Sequence, residues 1–125
     1  MKLVMVGASA LLASSASAAV QLDAKGRGDN GDGTTFVIKS KFQSDAMRTE
    51  VEFTLKKALP GATHTVCIST DECTYTFTLT ANDRGKAFVK FDTNDGTLPP
   101  GYDAIVAGDT ISVDGVVLAT YRRHR

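Results

Sequence analysis

Residues 73–80 read C-T-Y-T-F-T-L-T. In an extended chain Tyr75, Phe77 and Leu79 fall on one side, and Thr74, Thr76 and Thr78 on the other. Successive side chains of a strand point to opposite faces, so a strict period of two marks a strand with one face in a core and one in water. The same alternation recurs in 48–55, where Val51, Phe53 and Leu55 oppose Glu50, Glu52 and Thr54, and in 86–91, where Ala87, Val89 and Phe91 share a face. Residues 35–42, T-F-V-I-K-S-K-F, are rich in the β-branched and aromatic residues that strands favour.

Turn chemistry separates these segments. Pro60-Gly61 and Asn82-Asp83-Arg84-Gly85 are turn sequences, and Asp114-Gly115 is a favoured hairpin pair between 110–113 and 116–121. The pattern predicts an all-β fold, an antiparallel immunoglobulin-like β-sandwich of seven to eight short strands. Strands 63–69, 73–80 and 86–91 are expected to pair as a meander. Phe36, Ile38, Val51, Phe53, Tyr75, Phe77 and Leu118 are among the expected core residues. Residues 22–34, L-D-A-K-G-R-G-D-N-G-D-G-T, hold four Gly and three Asp. They read as a loop after a short first strand at 20–22. Residues 92–109 read as a second long loop, with a helical turn or short bridge at 104–106.

The amino terminus has a different logic. A positive Met1-Lys2 start, an apolar stretch at 3–13 and small residues at 14–19 form the three-part layout of a secretory signal peptide. Residues 1–19 are therefore expected to be removed after Ala18 or Ala19, leaving 20–125 as a single β-sandwich domain. The apolar run is shorter than the roughly 20 residues of a membrane span, so no transmembrane anchor is expected. Removing 19 of 125 residues leaves 106, with 13 basic and 14 acidic side chains. The near-zero charge argues against steering toward a polyanion by bulk charge, and no nucleic-acid partner is expected.

Export favours oxidised cysteine, and Cys67 and Cys73 are expected to form a disulfide. Face parity resists a simple pairing. Matching apolar faces sets Ile68 against Cys73 and Val66 against Tyr75, which leaves Cys67 on the opposite face. A residue bulged out near the turn would reconcile the two.

Three chemistries deserve weighing. His64 lies on the apolar parity of Val66 and Ile68, which fits a hydrogen-bonded structural histidine; a small hydrolase using His64 would need an acid and a hydroxyl within about 3 Å of its ring. No G-x-S-x-G elbow occurs. Asp23, Asp29 and Asp32, and separately Asp92, Asn94 and Asp95, offer oxygen ligands in Gly-containing segments that suit calcium, though their spacing departs from the EF-hand pattern. Two histidines in all exclude a tri-histidine metal centre. Glu50 and Glu52 share a strand face as solvated charge. Arg27-Gly28-Asp29 spells an integrin-recognised tripeptide, placed here on an exposed loop. Arg122-Arg123-His124-Arg125 reads as a solvated basic terminus.

The segments P-G-A-T-H-T-V-C-I at 60–68, T-A-N-D-R-G-K-A-F-V-K-F at 80–91, L-P at 98–99 and G-D-T-I-S-V at 108–113 resemble a loose group of small secreted bacterial β-sandwich domains without assigned activity. The resemblance covers about half the chain and implies a fold and a compartment. Likeness to copper/zinc superoxide dismutase sandwiches stops at architecture, since the histidine ligands are missing. The expected function is that of an exported, non-enzymatic β-sandwich module, secreted or periplasmic, with a binding or structural role at the cell exterior and an extracellular or envelope partner. A calcium-stabilised extracellular domain is the alternative. No cofactor is expected apart from calcium.

Overall fold

Among the described residues, 19–124 of the computed structural model, nine strands follow one another: β1 (Val20–Asp29), β2 (Thr35–Ser44), β3 (Thr49–Lys56), β4 (Thr63–Ile68), β5 (Thr76–Thr80), β6 (Ala87–Asp92), β7 (Thr110–Val113), β8 (Val116–Thr120) and β9 (Arg122–Arg123). The expected export segment lies, apart from Ala19, outside the described residues. Two antiparallel sheets form, one of five strands in the order β6-β3-β2-β1-β9 and one of four in the order β5-β4-β7-β8. They pack face to face as a β-sandwich, which agrees with the period-two patterning.

Connectivity refines the immunoglobulin-like expectation. Immunoglobulin order sends the third strand to the second sheet, whereas β1, β2 and β3 form a meander within one sheet. The chain then alternates. The β4–β5 hairpin lies in the second sheet, β6 returns to pair with β3, the β7–β8 hairpin crosses again, and β9 comes back to β1.

The expected meander over 63–91 is corrected here. Strands β4 and β5 do pair, but β6 pairs with β3, with Phe91 opposite Val51, Val89 opposite Phe53 and Ala87 opposite Leu55. That register places three apolar residues beside three fully buried ones. The Asn82–Gly85 turn is docked on the β3–β4 connection, the other crossing between the sheets at this end: the Ala58 amide donates to the Gly85 carbonyl at 3.0 Å. Gly85 has φ of 74° and its missing Cβ would lie 2.3 Å from the Ala58 carbonyl oxygen, so only glycine fits this crossing point.

The expected loop at 22–34 is a second correction. Residues up to Asp29 belong to β1, paired with β2 from Val20 opposite Ser44 to Asp29 opposite Thr35. The glycines mark close approach rather than a bend. A Cβ at Gly26 would stand 1.9 Å from the Leu118 carbonyl oxygen on β8, and one at Gly28 would stand 2.2 Å from the Phe36 ring. Glycine in a strand serves where another backbone or ring must come close. At Gly26 it lets the edges of the two sheets meet.

The inward faces supply the core. Phe36, Ile38, Val51, Phe53, Leu55, Val66, Ile68, Leu79, Phe91, Ile111 and Val113 are buried as expected, and Tyr75, Phe77, Val89 and Leu118 pack partly buried against them. Rings of Phe53, Phe77 and Phe91 lie 4.8 to 6.3 Å apart, in the range of favourable aromatic pairs. The long loop adds to this cluster. Its 3₁₀ turn at Tyr102–Ala104 drives a fully buried Tyr102 edge-on against Tyr75 and Phe91. Tyr121 is also fully buried, and its hydroxyl pairs with Ser40 Oγ at 2.8 Å. Burial, only partly offset by the Ser40 hydrogen bond, pushes the Tyr121 phenol well above its ordinary pKa.

Cys67 and Cys73 stand at disulfide distance, with Cα atoms 5.2 Å apart. The parity conflict is resolved without a bulge. Val66 faces Phe77 and Cys67 faces Thr76, a register shifted from the expected one, and β5 begins only at Thr76. Cys73 therefore lies in the connection, where Glu72 and Cys73 both adopt positive φ, 55° and 63°, and return the thiol toward β4. Closing so short a loop contributes about 2 kcal/mol. Reduction is expected to lower the urea midpoint accordingly, and thiol counting on denatured, unreduced protein is expected to find no free thiol.

Candidate functional site

His64 is the buried histidine of β4, 8 % exposed, with its ring centroid 4.4 Å from that of Phe36. Its Nδ1 lies 2.7 Å from Asp114 Oδ2 in the β7–β8 turn. Asp114 has a φ of 53° and is followed by Gly115 at 84°, the left-handed pair that a tight hairpin needs. The other carboxylate oxygen of Asp114 accepts from the Thr65 amide at 2.8 Å, and the Asp114 amide donates to the Thr65 carbonyl at 2.8 Å. An ionised carboxylate only accepts, so the imidazole donates from Nδ1. Nε2 is buried and meets no hydrogen-bond partner among the described residues.

Of the two neighbours that a hydrolase built on His64 requires, the acid is present and, among the described residues, no hydroxyl meets the free ring nitrogen. The pair instead ties the β7–β8 turn to β4. Burial raises the Asp114 carboxyl, but the Thr65 amide and the His64 ring outweigh it and hold its pKa below the ordinary carboxylate value. A carboxyl whose pKa is lower folded than unfolded stabilises fully above the unfolded value, and that stability is lost as pH falls through the folded one. Unfolding free energy is therefore expected to decline below about pH 4. Asp114→Asn should remove part of that decline, as read by urea titration across pH.

The candidate calcium ligands are not brought together. Asp23 lies within β1, six residues from Asp29 and so about 20 Å away along the strand. It faces His124, whose Nδ1 contacts its carboxylate. Asp29 Oδ1 accepts from the Gly31 amide at 2.7 Å, and Asp32 Oδ1 from the Thr34 amide at 2.9 Å, so both close the β1–β2 turn. Asp92 is only 2 % exposed. It binds the Arg48 guanidinium and caps its own turn by accepting from the Asn94 amide at 2.8 Å. The Arg48 hydrogen bond holds its pKa below the ordinary value despite burial. Asp95 meets Asp92 through its backbone amide. Among the described residues no three histidine, cysteine, aspartate or glutamate side chains gather where a metal ion could sit.

Two further expectations are corrected. The Arg27-Gly28-Asp29 tripeptide is not on an exposed loop. All three residues are paired with β2, and Gly28 lies under the Phe36 ring. The basic terminus is not merely solvated: Arg122 and Arg123 form β9 against Asp23 and Leu22, and the His124 amide donates to the Gln21 carbonyl.

With β1 recognised as a strand, the outer face of the five-stranded sheet becomes a coherent surface. Lys25 on β1 stands directly opposite Lys39 on β2, and Arg27 opposite Val37, which in turn faces Lys56 on β3. Lys41 lies one pleat along from Lys39. Lys25, Arg27, Lys39, Lys41 and Lys56 are exposed. None makes an ion pair among the described residues, although carboxylates share the face: Lys41 stands between Asp23 on β1 and Glu52 on β3, while Glu50 is engaged by Arg48 and Lys90, Asp92 by Arg48, and Asp23 by His124. Phe88, 61 % exposed, sits in the same cross-strand row as Lys39 and Lys25, through Thr54. The alternation K-S-K at 39–41 and K-G-R at 25–27 could have signalled this face. It stayed hidden because the second segment reads as a loop.

The opposite sheet presents a different chemistry. Thr63 and Thr65 on β4 pair with Thr80 and Thr78 on β5, giving an exposed, uncharged row of hydroxyls. Among the described residues no helix is long and apolar enough to cross a membrane. No family model matches the chain, and no curated protein or solved structure matches it.

Proposed function

We propose that this chain is an exported, non-enzymatic β-sandwich module that works by surface contact at the cell exterior. One observation carries the reading: the His64–Asp114 pair, the arrangement nearest to catalytic machinery, clamps the β7–β8 turn to β4 and encloses Nε2 instead of aiming it at a hydroxyl. A base must reach the proton it removes, and here that nitrogen faces the interior. The Cys67–Cys73 pair suits an oxidising compartment, in keeping with the export signal. The charged and hydroxyl faces of the two sheets offer contact surfaces.

The test is retention of the exported protein by the envelope and medium polymers of the cells that make it, alongside a broad hydrolase screen. Saturable retention without turnover is expected. Turnover that disappears in His64→Gln would overturn the reading in favour of an enzyme.

A further inference from the structure

We infer that the free edge of β5 pairs with the same edge of a second copy of this chain, antiparallel, about a two-fold axis at Thr78. This goes beyond the contact-module reading and does not rest on it. The two sheets leave four edge strands, β6, β9, β5 and β8. An open edge presents unpaired backbone groups to any passing strand, and proteins blunt such edges with charge, proline or a bulge. Three of the four are blunted here. β6 carries Lys90 and Asp92, and β9 is only Arg122 and Arg123. β8 is bulged: Ile111 faces Ala119 while Ser112 faces Val117, which leaves Leu118 with no residue opposite. β5 has none of these devices. No charged residue and no proline lies between Cys73 and Ala81, and the register with β4 runs unbroken from Thr63–Thr80 to Cys67–Thr76.

The ladder fixes which backbone groups point outward. The Ala81 amide donates to the Ala62 carbonyl at 2.8 Å, and on the other side of β4 the Asp114 amide donates to the Thr65 carbonyl. Hydrogen-bonded pairs alternate along an antiparallel ladder. The backbone groups of Phe77 and Leu79 therefore face β4. Those of Thr76, Thr78 and Thr80 face the open edge, where no strand among the described residues meets them.

This edge is its own complement. A two-fold contact sets residue i against j and j against i. With the axis at Thr78, Thr78 meets Thr78 of the second copy, Thr76 meets Thr80, and Phe77 meets Leu79. The threonine pairs are the ones whose backbone groups point outward, so each exchanges two hydrogen bonds. Their exposed hydroxyls repeat the Thr63–Thr80 contact between β4 and β5, where the oxygens lie 2.9 Å apart. Phe77 lies on the core side but is only partly buried, and Leu79 of the second copy covers the ring area left open at the edge. Five residues from each copy is far fewer than the roughly 20–30 a side of a standard interface, so the dimer is weak and follows concentration.

The experiment is sedimentation of the exported protein from micromolar to millimolar concentration, with amide exchange read by NMR over the same range. A reversible monomer–dimer equilibrium is expected. Exchange should slow with concentration at Thr76, Thr78 and Thr80, and stay constant at Phe77 and Leu79, which β4 already holds. Thr78→Lys and Thr78→Glu each set like charges against each other at the axis and are expected to weaken association at least about tenfold. An equal mixture of the two variants is expected to regain the association of the parent, since lysine then faces glutamate; an unfolded variant could not do so. Side chain 78 is exposed in the monomer, so dilute variants should keep the parent's melting temperature. Val117→Lys, an equal charge change at an exposed position on β8, is expected to leave association within twofold. A chain that stays monomeric throughout, exchange that slows at another edge instead, association untouched by Thr78→Lys, equal weakening by Val117→Lys, or a mixture that stays apart would each overturn the inference.

Discussion

Phe53→Ala is expected to destabilise the domain by about 3–5 kcal/mol, the usual cost of truncating a buried aromatic. Phe53 is fully buried at the centre of β3. Its ring meets Phe77 on the opposite sheet at 4.8 Å and Phe91 on β6 at 6.3 Å, so it joins both layers of the sandwich. The cavity would open where the sheets are bridged by rigid rings, which collapse poorly. Domains of this size carry about 5–15 kcal/mol in total. The substitution therefore threatens folding itself. A thermal scan should show the melting temperature falling by at least about 12 °C. Phe88→Ala, on the exposed outer face, is the control, expected to lie within about 0.5 kcal/mol of the parent. Equal effects of the two would contradict the assignment of the core.

Gly26→Ala carries the second large effect, through crowding instead of a cavity. The added Cβ would meet the Leu118 carbonyl oxygen at 1.9 Å. The Cβ has no rotamer and its partner is backbone, so no side-chain rotation relieves the clash, and β1 or β8 has to move. Overpacking of this kind costs about 1–3 kcal/mol and sometimes more. Gly28→Ala provides a graded comparison. There the clash is with the Phe36 ring, at 2.2 Å, and a side chain can turn away. The expected order of urea midpoints is parent, then Gly28→Ala, then Gly26→Ala. A neutral Gly26→Ala would show that the β1–β8 approach is looser than the packing requires.

The class of fold was legible in the sequence because period-two alternation is local physics. A strand half in water must alternate, and 48–55, 73–80 and 86–91 do so whatever their partners. Turn positions such as Asp114-Gly115 were legible for the same reason, since left-handed backbone selects its own residues. Most core residues follow from those two signals together. The candidate sites were less readable. Asp23, Asp29 and Asp32 are close in sequence, but β1 is extended and holds Asp23 far from the other two. His64 gave no hint of Asp114, fifty residues away, because only the β4–β7 pairing brings that turn alongside.

What the tertiary structure alone decided is pairing, and with it the meaning of glycine and charge. Local composition makes 24–29 a loop, since glycine usually costs a strand entropy and contacts; Leu118 and Phe36, brought in from other strands, turn those missing side chains into the condition for close packing. β6 leaves β5 for β3 because the buried face of Val51, Phe53 and Leu55 offers its apolar residues a better neighbour than a simple hairpin return. The Lys25–Lys39 pair is of the same kind. Lysines at 25 and 39 are fourteen residues apart in a neutral chain, and become one surface only when the β1–β2 register places them opposite each other. Alternation and turn residues are set by neighbours in the chain, whereas register, crossing and surface potential are set by neighbours in space, which a single sequence does not list.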